Sequence, residues 1–406
     1  MRLVYKFNIG KNNDLFELCK ISKNLYNQAL YIVKDELKTN GKWLSYNQLD
    51  KRLKETTNLE GNINYRLLKA QVSQQCLKSL CTNITTYVKA IKDYSKNKKK
   101  YNGKPKFPNY KEVVNQLVYT NQSSSIKEGY AHLSKELKIR IPQYEKYKEK
   151  LSKFQQIRII PNEDKTFVCE IVYIDNTVLN EELDSNKYSS IDFGVDNLVT
   201  LICDCNKPIL FNGKQIKSKN QYFNKTISLL KSELKNNNSK SSKRIKKLWK
   251  HRNNQIDDAF HKLSRKIVNI LVENKVGNLV VGYNKSWKDS IKLSKRVNQT
   301  FVSIPYEKLI NHLKYKCEMC GISLTITEES YTSKCDSLAQ ESIEKHDEYL
   351  GKRMKRGIFQ SSIGKLINAD VNGALNILRK VFGDSEIISR IIDSGWLFQP
   401  IKVNVL

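Results

Sequence analysis

Acidic residues are scarce in this 406-residue chain: 41 aspartates and glutamates stand against 71 lysines and arginines, a formal charge of +30. Such an excess costs self-repulsion in the free protein and implies a polyanionic partner. Nucleic acid is the first candidate, because each neutralised phosphate releases counterions. Long apolar runs are missing as well. No stretch approaches the ~20 residues a membrane-spanning helix needs, and Met1-Arg2-Leu3-Val4-Tyr5-Lys6-Phe7 lacks a signal-peptide core. The nine cysteines, an odd number, follow no disulfide-scaffold spacing, so a reducing, cytoplasmic compartment is expected. Five histidines (His132, His251, His261, His312, His346) are scattered and read as structural or surface residues. No His/Ser/Asp or Cys/His nucleophile constellation is present.

What the chain does have is a pair of aspartates in telling contexts. Ser189-Ser190-Ile191-Asp192-Phe193-Gly194 reads as a strand with an Asp at its tip, a bend at Gly194 and a second strand from Leu198 to Ile202. Far downstream, Asn368-Ala369-Asp370-Val371-Asn372-Gly373-Ala374-Leu375-Asn376-Ile377 reads as a helix start, with Ala374, Ile377 and Leu378 as its buried stripe. A turn Asp and an N-cap Asp are the commoner fates of each residue alone. Together in a basic chain, the two could hold Mg²⁺, which takes hard oxygen ligands and keeps waters for a phosphate substrate.

These motifs carry a resemblance. Ile191-Asp192-x-Gly194-x-x-Asn197-Leu198 and Asn368-Ala369-Asp370-x-Asn372-x-Ala374-x-Asn376-Ile377 resemble the first and third RuvC motifs of the TnpB family. TnpB proteins are transposon-encoded RNA-guided DNA nucleases related to type V CRISPR effectors. Asn298-Gln299-x-Phe301-x-x-Ile304-Pro305 and Tyr331-Thr332-Ser333-Lys334 extend the likeness over nearly the whole chain. The implied fold is α/β plus a β-barrel. An RNase H-like RuvC nuclease domain (186–328 and 366–383) would follow an oligonucleotide-binding-like wedge barrel (1–12 and 105–180) carrying a helical recognition insert (13–104). A target-nucleic-acid-binding insert with a degenerate zinc ribbon (329–365) and a tail (384–406) would complete it.

In chain order, Leu3–Ile9 alternates as a strand, and a helix is expected from about Asp14 to Leu37 with Leu18, Ile21, Leu25, Ala29 and Ile32 on its buried face. A second helix, about Tyr65 to Tyr94, buries Leu68, Val72, Cys76, Leu80, Ile84, Tyr87, Val88 and Ile91. Its other side is expected to expose Lys69, Ser73, Gln74, Lys78 and Lys89, and the resemblance assigns Lys69, Ser73 and Gln74 to reading the motif that flanks the target. Between 96 and 111, Lys98, Lys100, Lys104 and Lys106 alternate with aromatics, a composition suited to unpaired bases and phosphate. Strands are expected at Gln116–Thr120, Ala131–Leu133, Leu137–Ile141, Gln156–Ile160 and Thr166–Ile174, and a linker at Asp175–Lys187. Two helices, about Asn220–Lys235 and Lys243–Asn274, follow. Lys243, Arg244, Lys246, Lys247, Lys250, Arg252 and Lys262 on the second have few acidic i+4 neighbours and suit a duplex backbone. The tail, with Ile387, Ile388, Ile391, Ile392, Trp396, Leu397 and Phe398, is expected to pack back as a short helix.

Two departures from the family stand out. Most TnpB proteins end the strand equivalent to Leu279–Val281 with the second RuvC carboxylate, whereas this chain has Gly282, followed by Tyr283-Asn284-Lys285-Ser286-Trp287-Lys288. Either the site has lost a ligand, or the carboxylate has moved to Glu328-Glu329 at the end of the strand expected at Ile322–Thr327. Relocation is the favoured alternative, with Glu329 ahead of Glu328. The second departure concerns zinc. Cys317-Glu318-Met319-Cys320 closes a helix, and Cys335 with His346 does not supply the second short-spaced pair a zinc ribbon uses, which argues against structural zinc. Lys334 and the run Lys352–Arg356, with Arg353 and Arg356, then read as nucleic-acid contacts. The resemblance implies two Mg²⁺ ions held by Asp192, Glu329 and Asp370, a guide RNA of the omega type, target double-stranded DNA and no membrane. Two other classes remain: a nuclease-inactive RNA-guided repressor, and a DDE-like transposase acting without RNA.

Overall fold

The computed structural model describes residues 1–101, 103–176, 182–236, 239, 241–284 and 302–405. The chain divides into two compact units, Met1–Asn176 and Thr177–Leu406.

In the first unit, β1 (Arg2–Ile9) alternates exposed and half-buried positions, as a strand with one covered face must. Helix α1 (Asn13–Asn40) starts where the Asn12 side chain accepts the Leu15 amide and stops at Gly41 in the left-handed region. Then come α2 (Tyr46–Leu53), α3 (Ala70–Lys96), a 3₁₀ turn at Lys98–Lys100, and β2 (Leu117–Thr120), β3 (Ser125–Lys127), β4 (Tyr130–His132) and β5 (Lys138–Arg140). Helix α4 (Tyr144–Leu151) precedes β6 (Phe154–Pro161) and β7 (Phe167–Ile174). The strands make an open antiparallel sheet, β1-β7-β6-β2, and a separate one, β3-β4-β5. No pairing among the described residues closes the expected barrel. Helices α2 and α4 and strand β3, all short, had no clear sequence signal.

Of the expected buried face of α1, Leu25, Ala29 and Ile32 are buried and Leu18 and Ile21 are half-buried; Leu15, Cys19, Ser22, Tyr26, Leu30 and Val33 are buried as well. Polar members are admitted because they are satisfied: Ser22 Oγ donates to the Gln116 carbonyl at 3.1 Å, and Asn83 donates to the Tyr26 hydroxyl at 3.0 Å. Helix α3 begins five residues later than expected, and its stripe is buried only as far as Leu80.

The second unit is a mixed α/β layer structure. Strands β8 (Asp184–Phe193), β9 (Asn197–Cys203) and β10 (Asn206–Asn212) are antiparallel neighbours. Helices α5 (Lys214–Asn236) and α6 (Lys243–Glu273) lead to β11 (Val276–Gly282), parallel to β8. Helix α7 (Tyr306–Cys320) leads to β12 (Ser323–Thr327), parallel to β11. After the small sheet β13 (Lys352–Lys355), β14 (Ile358–Gln360) and β15 (Leu366–Asn368) come α8 (Ala369–Phe382), α9 (Glu386–Asp393) and β16 (Ile401–Asn404), which pairs with β10. The large sheet therefore reads β12-β11-β8-β9-β10-β16. Strand β8 starts inside the expected linker, and β10 and β16 were not anticipated.

Period-two alternation sorts the sheet into two cores. Ile191, Phe193, Val199, Leu201, Leu279 and Val281 pack with α6 and α7, around Phe260, Leu263, Leu309 and Leu313. Ile202, Leu210 and Val280 pack on the other face with Val371, Ala374, Leu375 and Leu378 of α8. Asn298, Gln299 and Phe301 of the expected motif, and Ser286, Trp287 and Lys288, lie outside the described residues. Its end is described: Ile304 is fully buried, and the Tyr306 hydroxyl just beyond it donates to the Gly194 carbonyl at 2.6 Å.

That bond closes the turn between β8 and β9 from below, so its loss has a cost. Tyr306→Phe keeps the ring against Phe193 but strands a carbonyl, and is expected to cost about 1–3 kcal/mol. A lowered urea midpoint at unchanged slope is the expected reading. An unchanged midpoint refutes it.

Candidate nuclease centre

Asp192 shares its face of β8 with Ser190, whose hydroxyl donates to the Ala374 carbonyl at 2.6 Å. Both side chains therefore point at α8. There the helix presents Gly373, and a Cβ at that position would stand 3.0 Å from Asp192 Oδ2. The glycine is what lets the helix approach the carboxylate. Asp370 lies three residues earlier, in the first turn of α8, which Asn368 caps by accepting the amides of Asp370 and Val371. Asn197, at the start of β9, donates to Asp370 Oδ2 at 2.7 Å.

Glu329 arrives from the next strand but one. Gly282 at the end of β11 pairs with Thr327 at the end of β12, and two residues further Glu329 turns inward. A Cβ at 282 would sit 2.4 Å from Ile377 Cδ1 and 3.3 Å from Glu329 Oε2. A side chain at 282 and Glu329 in its present position thus compete for one space. The Glu329 amide donates to Asn284 Oδ1 at 3.1 Å, and the Thr332 hydroxyl donates to the Glu329 carbonyl at 2.8 Å. Glu328 differs: its side chain is exposed, and its carbonyl accepts Lys380 Nζ at 3.1 Å.

Helix α8 is bolted to the turn that follows Glu329. Asn376 Nδ2 donates to the carbonyls of Thr332 and Cys335 at 2.9 and 2.7 Å. Asn372 donates to the Cys335 carbonyl and accepts from the amide and hydroxyl of Ser337. Arg379 Nη1 in turn donates to Asn376 Oδ1 at 2.7 Å. These residues, with Asn197, Asn284, Lys380 and Tyr306, were not assigned from sequence. Two asparagines one turn apart inside an apolar helix were the available signal, since asparagine is a poor interior helix former that needs a compensating partner.

Burial raises the Asp192 carboxyl well above the usual carboxylate range, with further upward pushes from Glu329 and then Asp370; the Phe193 amide and Arg353 pull the other way. Glu329 is pushed up to about 7 by burial, with Lys380 opposing.

Residues 168–288 match the family described as OrfB_IS605, probable transposase. Residues 306–377 match the Cas12f1-like TNB domain. Over these segments the chain is TnpB/OrfB_IS605-like, with a Cas12f-like TNB domain. A curated relative, the TnpB-like protein ORF457 of Acidianus two-tailed virus, is 26% identical over 208 residues, 49% of this chain and 42% of the relative. The match therefore spans less than half of that protein. Among solved structures, a Cas12f1–sgRNA–target DNA complex aligns with 93% of this chain and 98% of its own at 16% identity and a TM-score of 0.37. The RNA-guided endonuclease CRISPR-Cas_phi3 aligns with 95% and 93% at 11% identity and 0.46.

The basic residues of this TnpB-like chain divide into exposed and committed sets. Lys243, Arg244 and Lys247 line the exposed start of α6, and Arg353 lies on the exposed strand β13. Lys334, Lys98, Lys104 and Lys106 are exposed too, and Lys334 stands over the Tyr349 ring. Others are engaged. Arg356 and Lys217 both pair with Asp196, and Lys100 pairs with Asp93 at 2.6 Å. Lys262 pairs with Asp258. Arg252 is half-buried, donating to Asn220 and the Ser303 carbonyl. Ser73 corrects the expected reading surface outright: it is fully buried and its hydroxyl donates to the Tyr65 carbonyl at 2.8 Å. Gln74 is half-buried. Lys69 donates to the Ser123 carbonyl and Lys78 lies over the Tyr46 ring, both on the exposed side.

The TNB segment is closed by a carboxylate. Asp336 accepts the amides of Leu338 and Ala339 beside it and, 25 residues on, the Ser361 hydroxyl with the amide and hydroxyl of Ser362. Cys317 and Cys320 are buried in the α7 core, Cys335 is buried with its thiol on the Glu344 carbonyl, and His346 is half-buried. Among the described residues these four do not form a ligand group.

Two outcomes follow from this geometry. Gly282→Val is expected to destabilise by about 1–3 kcal/mol through overpacking, and Ile377→Ala should relieve much of that cost in a double-mutant cycle; strict additivity would show that the two sites do not share space. The second concerns pH. Without metal, folded Glu329 keeps its proton to about pH 7, whereas the unfolded chain releases it near ~4.3. The folded state binds the extra proton between these values, so its stability falls as pH rises. Glu329→Gln should therefore stabilise chelator-treated protein at pH 8, by on the order of 3 kcal/mol, with the gain fading towards pH 4. A pH-independent difference in urea midpoints would contradict this.

Proposed function

We propose that the chain is an RNA-guided DNA endonuclease of the RuvC type, cutting double-stranded DNA beside a short flanking motif by Mg²⁺-dependent hydrolysis, with its guide RNA supplied by the transposon that encodes it. The observation that carries this reading is the convergence of Asp192, Glu329 and Asp370, from β8, the end of β12 and the start of α8, on one space in a chain of +30 charge. The order β10-β9-β8-β11-β12, three antiparallel strands followed by two parallel ones, supports an RNase H-like assignment. Residues 1–176 are then the wedge and recognition module, and 329–365 the insert that touches target nucleic acid.

The residues fit Mg²⁺. They offer hard carboxylate oxygens whose mutual repulsion a divalent cation would relieve, and hydrolysis of this type uses two such ions. When bound, Mg²⁺ would activate a water and stabilise the leaving oxygen, and Asp192, Glu329 and Asp370 would hold it. Asn197 orients the Asp370 carboxylate by donating to one of its oxygens. Asn372 and Asn376 hold Asp370 and Glu329 at a fixed separation. Arg353, whose positive charge is felt at Asp192, is suited to a phosphate entering the space. The exposed Lys243, Arg244 and Lys247 suit a heteroduplex backbone, read by shape and charge while the guide reads sequence.

The test is plasmid-library cleavage by the purified protein–RNA complex in Mg²⁺. Wild type should cut, Glu328→Ala should cut, and Asp192→Ala, Glu329→Ala and Asp370→Ala should each lose at least ~10²-fold while keeping guide-dependent binding. Loss in Glu328→Ala with retention in Glu329→Ala would reassign the ligand. Guide-dependent binding with no cutting by wild type would make the chain an RNA-guided repressor. Strand transfer by RNA-free protein would make it a transposase.

A further inference from the structure

On the face of the large sheet opposite Asp192, where α6 packs on α7, three other ligand-type residues come together. Asp257 and His261 lie one turn apart on α6, and His312 faces them from α7; one ligand atom from each falls within 4.8 Å of the others. The present contacts of the two histidines are poor. His312 Nε2 is 3.6 Å from Asp257 Oδ1, too long for a hydrogen bond. Among the described residues its enclosed Nδ1 has no hydrogen-bond partner. The two imidazoles stack at 4.0 Å between centroids, 28° apart. His261 Nδ1 stands 3.5 Å from the Tyr315 hydroxyl. From this geometry we infer a divalent transition-metal site, with Asp257, His261 and His312 as protein ligands and water in the remaining position.

The chemistry of the donors selects the ion. Two imidazoles and one carboxylate suit zinc and its neighbours rather than Mg²⁺. With metal–ligand distances of ~2.0–2.2 Å, ligands on a tetrahedron stand about 3.4 Å apart, so the Asp257–His312 separation is already near the bound value. His261 and Asp257 retain solvent exposure, which gives the ion an entry path. The opposing charge is Lys308, whose Nζ is 2.6 Å from Asp257 Oδ1; a metal would displace it into solvent. Lys316 is turned away, donating to the His261 carbonyl and to Ser264 Oγ at 2.6 Å each. Arg265 and Asp258 are both exposed. An ion here would link α6 to α7 and brace the core beneath the sheet.

The experiment uses the full chain carrying Asp192→Ala and Glu329→Ala, so that Zn²⁺ cannot enter the carboxylate space. Chelator-stripped protein is titrated with Zn²⁺ by calorimetry and with Co²⁺ by visible absorption. One Zn²⁺ per chain, with a dissociation constant in the micromolar range or below, is expected, together with an absorption band of low-symmetry Co²⁺. His261→Asn, an exposed position that spares folding, should weaken binding at least ~10-fold and abolish the band. Lys308→Met, which removes the competing cation, should tighten binding several-fold. Equal binding by the His261→Asn protein, or binding only at millimolar Zn²⁺, would overturn the proposal.

Discussion

The closeness of α8 to β8 is the constraint on which the centre depends. Helix α8 lies close against a strand that carries an inward carboxylate, and Gly373 keeps the facing position clear: a Cβ there would stand a tight 3.0 Å from Asp192 Oδ2. Closeness creates its own difficulty, since the helix brings Asp370 and the neighbouring turn brings Glu329 towards the same charge. Desolvated carboxylates in proximity repel, and the protein answers with hydrogen bonds to backbone rather than with neutral side chains. Asn372 and Asn376 fasten the helix to the turn, and Lys380 anchors the same turn through the Glu328 carbonyl and Ser330 Oγ. Rigid elements hold the acids together against their repulsion, as a preorganised site requires.

Gly282 and Glu329 are two halves of one arrangement. Strands β11 and β12 run parallel and end level, so a carboxylate can reach the same space from either tip. A Cβ at 282 would clash with the Ile377 side chain and crowd Glu329, so a glycine at the end of β11 leaves room for the glutamate just past the end of β12.

Much of this was legible in the residues. The strand ending at Asp192, the helix opening at Asp370 and the strand delivering Glu328-Glu329 all announced themselves through alternation, capping and apolar runs, because each is specified by local pattern. Glu329 and Glu328 could not be separated that way: adjacent residues at a strand end differ only in which way the turn points them, and the turn is fixed by Thr332 and Asn284 from elsewhere. Ser73 shows the converse failure. A small hydroxyl on a helix reads as surface, but it can be buried at little cost when a carbonyl is at hand, here that of Tyr65. Strand β16 was illegible because its pairing partner, β10, lies far along the chain. The asparagine bolts were visible as anomalies without an explanation until their partners were.

The Asp336 closure has a further implication for how the TNB segment endures its surroundings. A knot tied by thiolates and a metal comes undone when oxidants capture the sulfurs or when the ion is withheld. Asp336 gathers amides and hydroxyls from both ends of its segment with oxygen and nitrogen alone, so this one fastening calls on neither a thiol nor an ion.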